Sequence, residues 1–168
     1  MRIDLKPLVL LAALSSGAAL AGNGSWTFGT QDQGHPNLSY TEADKTLFMV
    51  GCGHAFVLRA VYPGAAKKPD DKAGITIANG KASMSLEGTI ESGIGGGFPP
   101  DTTYFVQTDL GYDHLDSEVY GKKWRQQEAR LFDFLDSGQA LTVSAEGRSY
   151  GLPPIKIRNW KSRFKKIC

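Results

Sequence analysis

The chain has 168 residues, of which 41% are hydrophobic, with a formal net charge of +2 and two cysteines. This length fits a single domain with one core, and the near-neutral charge indicates no strongly charged partner for the protein as a whole. The composition therefore argues against a multidomain chain and against a protein that is basic or acidic throughout.

Residues 1–21 have the pattern of a cleaved signal peptide. Arg2 and Lys6 give a basic start, an apolar run too short to span a bilayer follows, and Ala19 and Ala21 are the small residues that a signal peptidase requires. We therefore expect a mature domain of residues 22–168 that is periplasmic or secreted. No later run of about twenty apolar residues follows, so no transmembrane segment is expected after cleavage.

The first half of the mature chain predicts paired strands around its most hydrophobic run. Residues 26–30 and 37–41 alternate apolar with small or polar residues, as strands with one buried face do. Residues 46–52 and 56–61 predict two more strands, and the first of these is apolar on both faces. A strand of that kind is covered on both sides, so we expect this pair in the middle of the fold.

The middle of the chain predicts an exposed loop, a hairpin and a further strand. The loop is the polar stretch of residues 63–73. Asn79-Gly80 then joins two strands, because both residues tolerate the positive φ angles of a tight turn. The further strand is expected within residues 102–110.

After Gly121 the apolar residues follow the period of a helix. A single stripe along a helix that ends at Gly138 contains Trp124, Leu131, Phe132 and Leu135. Two short strands, residues 141–143 and 150–152, and a last helix after Asn159 complete the chain. The predicted fold class is α+β, mainly β: an antiparallel sheet or sandwich of about seven to nine strands, with one helix before the penultimate strands and one at the C-terminus.

Cys52 and Cys168 are the only cysteines, and Cys168 is the last residue. In an exported protein two cysteines indicate one disulfide, which here would staple the C-terminus to a central strand. Chain-entropy arithmetic gives such a bridge a stabilisation of roughly 4 to 5 kcal/mol. Buried free thiols, or a bridge between two molecules through Cys168, are the alternatives.

Three features together resemble one protein family. They are a cysteine in the early hydrophobic strand pair (Val50-Gly-Cys52), a helix ending in Leu-Asp-Ser-Gly138 that leads into a strand, and a closing segment that ends in Lys-Lys-Ile-Cys168. This layout is similar to the invasion-associated locus B family and related small bacterial periplasmic proteins. The resemblance implies a secreted, disulfide-linked, β-rich and non-enzymatic domain. It accounts neither for the glycine-rich residues 93–97 nor for the basic C-terminal segment.

The last thirteen residues hold six cations and no acid: Lys156, Arg158, Lys161, Arg163, Lys165 and Lys166. The rest of the mature chain has a net charge of about −5. A basic amphipathic helix can lie on an anionic lipid surface, so this segment is the best candidate for contact with a partner. The alternative is that its aromatic face packs on the core while its cations offset the helix dipole. Because the domain is expected to be exported, nucleic acid is not an expected partner.

A candidate metal site comes from an acidic stretch around a histidine: Asp109, Asp113, His114 and Asp116. Carboxylates and an imidazole at these spacings suit a hard cation or a transition metal, although the spacing is not that of a calcium loop. The alternative is a solvated turn whose acids favour the start of the following helix. We expect no cofactor.

Other motifs give little support for an enzyme. Ser162-Arg-Phe-Lys165 matches a serine acyl-transferase pattern whose other elements are missing, and residues 93–97 lack the context of a phosphate-binding loop. A hydrolase acting on an envelope polymer would have only Asp113, Asp116 and His114 as its acid and base groups. The glycine-rich residues indicate a flexible loop, or a loop that closes on a ligand.

The sequence therefore predicts an exported binding or accessory protein of the bacterial cell envelope without catalytic activity. Its expected partner is a protein or an anionic envelope component. The alternatives are the hydrolase described above and a structural subunit of an envelope assembly.

Overall fold

A computed structural model describes residues 23–30, 35–52, 56–92, 98–108 and 117–167. These residues form nine strands and two helices: β1 (Ser25–Thr30), β2 (Pro36–Glu42), β3 (Lys45–Cys52), β4 (Phe56–Val61), β5 (Lys72–Ala78), β6 (Ser83–Ser92), β7 (Thr103–Thr108), α1 (Ser117–Leu135), β8 (Leu141–Ala145), β9 (Arg148–Leu152) and α2 (Trp160–Ile167). The predicted fold class is confirmed as mainly β, with the two helices in the predicted places.

All nine strands belong to one antiparallel sheet, in the order β1-β2-β3-β4-β7-β6-β5-β8-β9. The sheet is curled, as two side-chain hydrogen bonds between parts of the chain that are far apart in this order show. Trp26 Nε1 of β1 donates a hydrogen bond to the carbonyl oxygen of Pro153, just after β9, at 2.7 Å. Tyr150 Oη of β9 donates to the carbonyl oxygen of Leu47 in β3 at 3.1 Å. The two edges of the sheet therefore approach each other around a common core.

The main core lies between the inner face of the sheet and the two helices. From α1 it receives Leu131, Phe132 and Leu135, and from α2 it receives Trp160 and Phe164. The helical stripe predicted for α1 is confirmed at its three members whose side chains are described; the side chain of Trp124 lies outside the described part. Fully burying an aromatic or leucine side chain stabilises a fold by about 1.5–3 kcal/mol, so these five residues hold both helices in place.

A second, smaller cluster covers the outer face of β3, β4 and β7. Met49 is fully buried there together with Phe98, Tyr104 and Val106. Phe98 stacks on Tyr104 with ring centroids 4.8 Å apart. The prediction that the strand around Met49 is covered on both sides is therefore confirmed. Phe98, just after the glycine-rich run, packs on the sheet.

The hairpin predicted at Asn79-Gly80 is present between β5 and β6, but its turn differs in type from the predicted one. Gly80 has a positive φ of 79°, but Asn79 does not. The loop here has four residues, because Ala78 pairs with Ser83, and the Asn79 side-chain oxygen accepts hydrogen bonds from the amides of residues 81 and 82. Asn79 therefore serves as an Asx turn rather than as a left-handed residue.

Candidate functional site

The apolar face of α2 is buried in the protein. Trp160 is 2% exposed and Phe164 is fully buried. The ring centroid of Phe132 lies 5.8 Å from that of Trp160 and 5.0 Å from that of Phe164. Because the main core already occupies this face, only the polar and charged face of α2 is available to a partner.

The segment between β9 and α2 is fixed to the core in a similar way. Ile155 and Ile157 are partly buried and pack against the main core, whereas Lys156 and Arg158 between and after them are exposed. This alternation is typical of an extended chain with one face on the protein. The sequence predicted that this segment belongs to the basic surface, but it did not predict that Ile155 and Ile157 pack on the core.

We call the six cations the basic C-terminal surface: Lys156, Arg158, Lys161, Arg163, Lys165 and Lys166. Five of them are exposed, and Lys161 is intermediate. The structure therefore brings the predicted cations together on one continuous stretch of chain whose other side faces the core.

Lys161 is the member of this surface that forms ion pairs among the described residues. Its Nζ lies 2.5 Å from Asp133 Oδ1 and 4.0 Å from Asp136 Oδ2, which belong to the end of α1 and the residues after it. The hydrogen bond from Lys161 holds the pKa of the Asp133 carboxyl below its usual range. Lys161 therefore ties α2 to α1.

Two other cations lie over aromatic rings. The guanidinium carbon of Arg163 is 4.3 Å from the ring centroid of Phe28, and Nζ of Lys165 is 6.0 Å from that of Phe132. Such cation–π contacts contribute about 0.5–1 kcal/mol at exposed sites. They attach the charged face of α2 to β1 and α1.

A second polar cluster surrounds Glu146, in the turn between β8 and β9. Its carboxylate accepts hydrogen bonds from the Ala65 amide at 2.9 Å and from Tyr62 Oη at 3.1 Å, and it pairs with Lys67 Nζ at 2.9 Å. The predicted loop of residues 63–73 is exposed over most of its length, but this carboxylate fixes its first part. Sequence reasoning missed the cluster, because its members are about eighty residues apart.

These hydrogen bonds lower the pKa of Glu146 from 4.5 to about 2, with the Ala65 amide as the largest cause. A lowered pKa means that the contacts of the ionised carboxylate stabilise the fold. This stabilisation is fully present above pH 4.5 and is lost as the pH falls through about 2. We therefore expect Glu146→Gln to lower the melting temperature at neutral pH. The difference in melting temperature between the variant and the unchanged protein should shrink as the pH falls from 4.5 towards 2. The reason is that the protonated carboxyl of Glu146 is uncharged, as the glutamine side chain is.

The measurement is thermal unfolding of both proteins across this pH range. Glu87→Gln is the matched control, because Glu87 is exposed and the structure gives its side chain no hydrogen bond or ion pair within the described residues. If the melting temperatures of the Glu146→Gln variant and the unchanged protein differ by the same amount down to pH 2, the ionised carboxylate does not stabilise the fold.

Several predicted site residues lie outside the described residues. They are Cys168, the glycine-rich residues 93–97 and the candidate metal ligands Asp109, Asp113, His114 and Asp116. The described residues contain no group of three or more histidines, cysteines or acids that suits a metal ion. In the same part of the chain, neither helix combines the length and the apolar character needed to cross a membrane. The metal site and the acid and base set therefore stay predictions.

A comparison of this chain with protein-family models, curated proteins and solved structures found no significant match. The resemblance to the invasion-associated locus B family therefore stays a prediction.

Proposed function

We propose that this protein is an exported binding or accessory protein of the bacterial cell envelope, and that its basic C-terminal surface binds an anionic membrane surface. The observation that carries the proposal is the arrangement of residues 155–166. Their apolar side chains face the core and five of their six cations are exposed, with no acid among them.

The buried apolar face decides how such binding would occur. Insertion of α2 into a bilayer would need Trp160 and Phe164 to leave the core, and their burial makes that costly. The protein would instead adsorb through electrostatic attraction, worth about 1 kcal/mol for each Lys or Arg near an anionic surface. The remaining mature chain, with a net charge of about −5, would face away from the membrane.

The test is sedimentation of the mature protein with phosphatidylcholine vesicles that contain or lack phosphatidylglycerol. We expect binding to the anionic vesicles, weakened by added salt because ions screen exposed charges. Replacing Lys156 and Arg158, which lie outside the helix, by glutamate should abolish the binding without changing the melting temperature. Equal recovery of the unchanged protein in the supernatant with both kinds of vesicle would refute the proposal.

We also propose that Cys52 and Cys168 form a disulfide that fixes the end of α2. Two observations support this pairing. The described residues contain no free cysteine, and Cys52 is among them. Cys52 pairs with Phe56 across β3 and β4, and a chain of ring contacts leads from there to α2: Phe56 to Phe132 at 5.8 Å, then Phe132 to Phe164 at 5.0 Å. Phe164 lies four positions before Cys168 in the sequence, so these ring contacts link β3 and β4 to the helix that leads to the second cysteine.

A further inference from the structure

The six cations of the basic C-terminal surface differ in what they contact. Three are held by the protein itself: Lys161 by acids, and Arg163 and Lys165 by aromatic rings. Lys166 lies in the last turn of α2, where a cation offsets the negative end of the helix dipole. Lys156 and Arg158 lie outside the helix, and within the described residues the structure gives them no acidic or aromatic partner.

The backbone that carries Lys156 and Arg158 is anchored on both sides. Before it, the Pro153 carbonyl accepts the hydrogen bond from Trp26, and after it Trp160 is buried in the core. Ile157, between the two cations, packs on the core as well. The Cα atoms of two residues with one residue between them are at most about 7 Å apart, because the chain cannot extend further. The pair is therefore held in place, and its spacing lets two anionic groups bind side by side.

We propose that Lys156 and Arg158 are the residues that contact neighbouring lipid phosphates, whereas Lys161, Arg163 and Lys165 hold α2 on the core. This inference rests on the proposed binding to an anionic membrane and assigns the contact to one part of the basic C-terminal surface. Binding at this pair requires no rearrangement of the protein. Binding through the other three would compete with contacts that the protein already makes.

The experiment compares two double variants that remove the same charge, Lys156→Gln with Arg158→Gln and Arg163→Gln with Lys165→Gln. Both are made in the mature protein and titrated with vesicles containing phosphatidylglycerol. The first should bind roughly 30-fold more weakly, as expected for two cations lost from an anionic surface, with an unchanged melting temperature. The second should weaken binding less than about fivefold, the value for a single cation, and should lower the melting temperature.

Two further variants sharpen the comparison. Exchanging the pair, Lys156→Arg with Arg158→Lys, preserves both charges and should retain binding. Lys122→Gln with Arg125→Gln removes two exposed cations of α1 and measures the effect of net charge alone. If the variant with Lys156→Gln and Arg158→Gln binds as tightly as this α1 variant, the inference is wrong. This comparison remains possible even if the variant with Arg163→Gln and Lys165→Gln is too unstable to measure.

The outcomes separate the inference from the proposed function. Equal loss of binding in the two double variants would overturn the assignment to Lys156 and Arg158 but keep the membrane-binding function. Absence of binding by the unchanged protein would overturn the proposed function, and the inference with it.

Discussion

Replacing Cys168 with serine is expected to lower the free energy of unfolding of the mature protein by about 4 kcal/mol. The proposed bridge to Cys52 would close a loop that contains most of the domain, so its loss returns a large conformational entropy to the unfolded chain. Cys168 is the better position to change, because Cys52 packs against the main core and its replacement would also disturb packing.

Denaturant unfolding of the oxidised protein measures this effect, and reduction provides the control. A reducing agent should destabilise the unchanged protein by a similar amount and leave the Cys168→Ser variant unaffected. If the serine variant is as stable as the unchanged protein, and reduction changes neither, the two cysteines are not bridged.

Gly88→Ala is expected to lower the free energy of unfolding by about 3 kcal/mol, the upper part of the range for overpacking a core. Gly88 lies in β6 on the inner face of the sheet. A Cβ atom there would overlap the carbonyl oxygen of Val106 and lie 2.8 Å from the ring of Phe105, which is fully buried. Since neither the backbone of β7 nor a buried ring can move freely, the sheet must deform to accept the methyl group.

Gly74→Ala in the neighbouring strand β5 is the matched control. A Cβ at Gly74 would meet the carbonyl oxygen of Leu86 at 3.6 Å, an ordinary contact. We expect little change in stability for this variant, measured by denaturant unfolding under the same conditions. Equal stabilities of the Gly88 and Gly74 variants would show that Phe105 and β7 do not pack against Gly88 as described.

The proposed disulfide would favour the proposed membrane binding by the basic C-terminal surface. A bridge at Cys168 would hold the end of α2, while Trp160 and Phe164 hold its apolar face. The exposed cations would then belong to a rigid surface, and less conformational entropy would be lost on binding than with a free tail. If the serine variant is destabilised, its affinity for anionic vesicles should therefore be examined at a temperature where it remains folded.

Local patterns determined the elements of this fold. Alternation predicted the strands, the helical stripe of Leu131, Phe132 and Leu135 predicted α1, and apolar residues on both faces predicted that the strand containing Met49 is covered on both sides. The two short strands near the C-terminus were predicted as well, and Glu146 and Gly147 in the turn between them both have positive φ angles. These features depend on side chains and backbone within one element, which is why the sequence is sufficient for them.

The sequence also located the candidate site, because six cations without an acid are visible in the chain itself. Only the tertiary structure distinguished among them. Lys161 finds acids at the end of α1, and Arg163 finds the ring of Phe28 in β1, more than a hundred residues earlier. No local sequence pattern predicts these contacts, because they form only when the curled sheet and both helices pack on one core.

The same physical reason explains the features that sequence reasoning missed. The three groups that hold the Glu146 carboxylate come from the chain after β4, which is far from β8 in the order of the sheet. The space available at Gly88 depends on Phe105 in a neighbouring strand. The sequence by itself determined which segments form strands, helices and turns, and which stretch is basic. The curling of the sheet decided which distant residues meet, and therefore which charges are used inside the protein and which remain for a partner.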